Sequence, residues 1–95
     1  MKGIFLKRKY YFMEQIEKRI REIMWEISGD EKKKQIIFEK ESIDISEDLE
    51  FDSVSSIRFI LRIEKEFGVS FDDNEIVNKV WDNRKLAEWL MTVKK

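Results

Sequence analysis

Apolar residues recur along this chain at helical spacing in two long stretches. Phe12, Ile16, Ile20, Ile23, Met24 and Ile27 form one stripe, which predicts a helix from about Tyr11 to Ser28 that Gly29 stops. Trp25 falls off the stripe and is expected to be half exposed or to touch the loop that follows. The second stretch, Ser53 to Phe67, carries two apolar faces. At about 100° per residue, Phe59, Ile60, Ile63 and Phe67 share one sector, and Val54, Ile57 and Leu61 lie roughly opposite. Asp52 suits the N-cap of this helix and Gly68 a left-handed close.

Between the two helices, Asp30 to Lys34 reads as a charged turn. Gln35 to Leu49 reads as a long irregular connection anchored by Ile36, Ile37, Phe38, Ile43, Ile45 and Leu49. After Gly68, Val69-Ser70-Phe71 alternates briefly. Asp72 and Glu75 then have capping-box spacing for a short third helix with Ile76, Val77 and Val80 inward. Asp82 caps a fourth helix to about Val93, with Leu86, Ala87, Leu90 and Val93 on one face, while Trp81 and Trp89 read as core or rim packing. The expectation is an all-α fold: a small four-helix bundle with a long loop between helices one and two and a short third helix. Residues 1–11 mix Lys2, Lys7, Arg8 and Lys9 with Ile4, Phe5 and Leu6. Their apolar run is too short for a secretory signal, so they read as a frayed extension ahead of a domain over 12–95.

Ninety-five residues suit one domain. Residues 1–40 hold 11 Lys/Arg against 7 Asp/Glu, and residues 41–95 hold 8 against 13, with no unbroken basic stripe to attract nucleic acid. Cysteine is absent, as suits a cytoplasmic protein without a disulfide framework. Histidine is absent too. The chain therefore lacks the usual base and the usual strong nucleophile at neutral pH, and it reads as a non-enzyme. A role at a membrane is not expected, and neither is a metal. The acid-rich run Asp44, Ser46, Asp48, Glu50 has Leu49 and Ser55 where a calcium loop needs glycine and glutamate.

The distinctive chemistry lies where that acidic loop becomes a helix. Six acids and no bases lie from Glu41 to Asp52, and Ser53 then stands at the first helical position. A hydroxyl there is beside the positive end of the helix dipole, where backbone N–H groups favour a phosphate ester. Serine is common at helix starts, so Ser53 alone says little. Its setting says more, because Asp52-Ser53-Val54 resembles the Asp-Ser-Leu motif of acyl carrier proteins. Asp48-Leu49 upstream also resembles that family, as does Ile63-Glu64-Lys65-Glu66-Phe67-Gly68-Val69-Ser70-Phe71 downstream, and the likeness runs from about Ile45 to Leu90.

The resemblance implies an acyl-carrier-type bundle in which Ser53 carries 4'-phosphopantetheine and Asp52 completes the motif. It implies a phosphopantetheinyl transferase and acyl-loading, condensing or acyl-transfer enzymes as partners of a monomeric carrier. Val54, Ile57, Arg58, Leu61, Arg62 and Lys65 are then the expected docking residues. In fatty-acid synthase carriers that face is mostly acidic; here its flanks are basic, which points to a specialised lipid, polyketide or peptide pathway. Val80-Trp81-Asp82 is similar to a Val-Trp-Asn stretch of D-alanyl carriers, which keeps an aminoacyl carrier open, and an unmodified helical adaptor is the third reading. Three residues depart from the family pattern: Glu50 stands where glycine is frequent, Phe51 is bulkier than usual, and Val54 replaces leucine.

Overall fold

The computed structural model describes residues 2–72 and 82–92, with residues 2–12 described by backbone alone. Helix α1 spans Lys2–Ser28, a 3-10 turn spans Glu31–Lys33, α2 spans Lys34–Glu39, α3 spans Ser53–Phe67 and α4 spans Asn83–Thr92. No strand occurs among the described residues, so the fold is an all-α bundle. The short helix expected around Ile76, Val77 and Val80 lies outside them.

Helix α1 is the spine against which α3 and α4 pack. Its predicted stripe is where expected: Ile16, Ile20, Ile23 and Met24 are buried. From α3, Phe59 and Ile63 complete the core, and from α4, Leu86, Ala87 and Leu90 do so. Burying a side chain of this size contributes about 1.5–3 kcal/mol, so these few residues dominate the stability of a small domain. Gly29 leaves α1 at φ 59°, a conformation that costs a residue with a Cβ about 1–2 kcal/mol.

The backbone of α1 begins at Lys2, ahead of the start expected near Tyr11. One expectation about chain course is corrected. The stretch after Asp30 is not irregular throughout. Asp30 accepts from the Lys32 N–H at 2.9 Å to start the 3-10 turn, and α2 follows directly. Six residues with adjacent β-branched Ile36 and Ile37 have little intrinsic reason to be helical. Tertiary contacts hold them instead. Ile37 is buried, Arg21 donates to the Ile37 carbonyl at 2.7 Å at the end of α2, and Phe38 meets Trp25 at 6.4 Å between ring centroids. Trp25 is half-buried against this segment, as its place off the stripe implied.

The remaining loop, residues 40–52, is irregular but tightly held. Ile43, Ile45 and Leu49 are buried. Asp44 accepts from the N–H groups of Ser46 and Glu47, both at 2.8 Å, and Asp48 accepts from the Asp44 N–H at 2.8 Å. The loop is then clamped to the start of α4. Asn83, fully buried, accepts from the Ile43 N–H at 2.7 Å and donates to the Glu41 carbonyl at 3.2 Å, while its own N–H reaches the Ile43 carbonyl at 3.2 Å. Asp82 caps α4 through the Arg84 and Lys85 N–H groups and receives the Ser42 hydroxyl. Burial pushes the Asp82 carboxyl up, but these donors outweigh it and hold it below the ordinary range.

Candidate functional site

The clamped loop delivers the chain to α3 in a fixed direction. Phe51 donates its N–H to the Ile45 carbonyl at 3.0 Å and sets its ring edge-on to Phe59, 6.2 Å between centroids. Asp52 follows in an extended conformation as the N-cap: its carboxylate accepts from the Ser55 N–H at 2.8 Å and its carbonyl from the Ser56 N–H at 2.9 Å. The Ser55 N–H, helped by the Ser55 hydroxyl, holds the exposed Asp52 carboxyl below its ordinary range. Asp52 is thereby an anion at neutral pH, fixed in place by the helix it starts.

Ser53 is the first residue of α3 and is exposed. Its N–H and that of Val54 precede the intrahelical ladder, so the hydroxyl stands where backbone donors and the helix dipole favour a phosphate group. Nothing about this geometry makes Ser53 a nucleophile by itself, since no histidine exists in the chain to take its proton. The residues fit a phosphodiester attached from outside: the hydroxyl is reachable, and the helix end is already capped without it. A groove of about 310 Å³ opens beside this first turn, with Leu49, Phe51, Lys33, Glu50 and Ser55 among its lining residues.

Glu50 closes the loop in an unusual way. Its φ of 57° places a non-glycine residue in the left-handed region, and Lys33 holds its carboxylate at 2.5 Å. The departure from the family's frequent glycine at this position therefore has a backbone meaning, visible only once the φ is known.

The two faces of α3 fall as the spacing predicted. Phe59 and Ile63 are fully buried, with Ile60 and Phe67 half-buried beside them. Val54, Ile57 and Leu61 are 64%, 55% and 57% exposed, values typical of surface residues rather than of a core. Arg58 and Lys65 are exposed beside them. Arg62 is not part of that face: it turns back to α1, where Glu26 receives it at 2.9 Å, and to Glu66 at 3.4 Å. Glu66 in turn takes both Arg19 donors at 2.9 Å, and Arg19 is the main cause that holds its carboxyl below the ordinary range. Ser56, read as a surface or flanking hydroxyl, is buried, because it precedes Phe59 by three positions and so shares the inward sector. Gly68 ends the helix at φ 65°, and Val69 donates back to the Glu64 carbonyl at 3.2 Å.

Sequence reasoning placed Ser53 and Asp52 at the start of the helix and Val54, Ile57 and Leu61 on its outward face, but missed Asn83, which fixes the loop that leads to them. An asparagine directly after a capping aspartate was the available signal, though its partner 40 residues away was not. No described helix is long and apolar enough to cross a membrane. No curated protein and no solved structure matches the chain. A family model described as the phosphopantetheine attachment site matches residues 18–90, which takes in the loop, the motif and all of α3. The chain thus belongs to the phosphopantetheine attachment family, as a carrier of the acyl carrier type whose prosthetic group is covalently bound 4'-phosphopantetheine.

Proposed function

We propose that this protein is an acyl carrier whose arm is attached at Ser53. The observation that carries the reading is the exposed Ser53 hydroxyl at the first position of α3, directly after the Asp52 cap and within the family match. A phosphopantetheinyl transferase supplies the base and the metal for the transfer. The Ser53 oxygen bonds to the pantetheine-side phosphorus of coenzyme A, the pyrophosphate P–O bond breaks, and adenosine bisphosphate leaves. Once attached, the arm provides the thiol that holds acyl groups as thioesters.

The protein's own contribution is positional. Asp52 fixes the start of the helix, the first-turn N–H groups favour the phosphodiester charge, and α1 keeps α3 rigid behind the attachment point. Acyl-loading, condensing and acyl-transfer enzymes perform the reactions, and the carrier works as a cytoplasmic monomer in a specialised lipid, polyketide or peptide pathway. Coexpression with a broad transferase, followed by mass analysis of the thioester-bound group, tests the reading. An acyl group supports it; an amino acid would make the protein an aminoacyl carrier, and unmodified protein would leave only the adaptor role.

A further inference from the structure

The outward face of α3 has a pattern finer than an apolar patch. Val54, Arg58, Leu61 and Lys65 follow one another at steps of four, three and four, so they form one stripe that alternates apolar and cationic, with Ile57 widening its apolar side. All five residues are exposed.

The charges along this helix are not equally available. Its two acids are both engaged: Glu66 by Arg19 and Arg62, and Glu64 by the Phe71 N–H at 2.9 Å. Of its three cations after Val54, Arg62 is tied to Glu26 and Glu66, while Arg58 and Lys65 have no ion-pair partner among the described residues. Both acids are thus occupied by partners within the protein, and two cations are left free on the side that nothing described covers. They are seven residues apart, which on an α-helix is about 10 Å along the axis.

We infer that α3 docks on acyl-handling partners that present an apolar groove with two carboxylates about 10 Å apart along one wall, facing Arg58 and Lys65. This rests on the carrier reading above. Leu61 is between the two cations and enters the groove between the two acids, while Val54 and Ile57 seat the end nearest Ser53. Charge complementarity of this kind steers encounter and rejects partners of the wrong sign. An anionic lipid surface fits less well, because Glu50 and Asp52 are exposed at the Ser53 end and would be repelled by it.

The test compares holo-protein with its Arg58→Glu/Lys65→Glu variant, each loaded to completion and checked by intact mass. The probes are an acyltransferase whose docking patch is basic and the same enzyme with that patch reversed to glutamate. The original sequence should react with the acidic-patch enzyme on the order of tenfold faster than with the basic one, and the variant should invert that preference. Added salt should slow the matched pairs and speed the mismatched ones. Equal rates across the four pairings, or salt effects of one sign, would overturn the docking inference while leaving loading at Ser53 intact. Binding to anionic vesicles that the double variant loses would overturn it in favour of a lipid surface. Failure of the unmodified sequence to load at all would overturn the carrier reading beneath it.

Discussion

Phe59 and Ile63 face into the bundle from one side of α3, and Val54, Ile57 and Leu61 face out from the other, yet the two sets differ little in hydrophobicity. What separates them is α1, which covers the first set and leaves the second to solvent. An apolar residue is therefore core or exposed surface according to which neighbour the topology supplies. A second face left this exposed on a short helix is better explained by an intermittent partner than by folding.

The largest expected effect comes from testing that contrast directly. Phe59→Ala should destabilise the protein by about 3–5 kcal/mol in denaturant unfolding, and Leu61→Ala should stay within about 0.5 kcal/mol. Similar losses at the two positions would show that the outward face is covered after all. A smaller effect sharpens the comparison at the loop, where an obligatory polar contact replaces apolar burial. Asn83→Ala leaves the Ile43 N–H buried without its acceptor and should cost about 1–3 kcal/mol, whereas Arg84→Ala, which removes only an exposed pair with Glu41, should change unfolding by less than about 1 kcal/mol.

The smallest effect has the opposite sign. Glu50→Gly relieves a left-handed residue at the mouth of the motif and should stabilise by about 1 kcal/mol in the same unfolding assay, less whatever the exposed Lys33 pair contributes. A destabilised glycine variant would mean that the Lys33 contact outweighs the backbone cost. Either way the outward face is untouched, so partner kinetics through Leu61 should not change.

Much of this could be read from the residues because single elements declare themselves by spacing. The opposed sectors of α3, the Asp52 and Asp82 caps and the left-handed Gly68 are local properties, fixed within a few positions of the chain. The features that were not legible depend on distant partners. Helix α2 exists because Ile37 and Arg21 meet across 16 positions, Arg62 turns away from the outward stripe to Glu26, 36 residues away, and Asn83 matters through a loop 40 residues earlier. Ser56 was within reach of the spacing argument, since it shares the sector of Phe59 and Ile63, but its hydroxyl concealed that. For Glu50, the substitution was visible and its backbone consequence was not.

The central claim is that Ser53, and no other hydroxyl in Asp52-Ser53-Val54-Ser55-Ser56, receives the arm. Its most direct measurement is intact mass with peptide mapping after incubation with a phosphopantetheinyl transferase, coenzyme A and Mg²⁺. A single phosphopantetheine on the Ser53 peptide, absent in Ser53→Ala, is the predicted result. Labelling that persists in Ser53→Ala, or that maps to Ser55 or Ser56, would contradict the account.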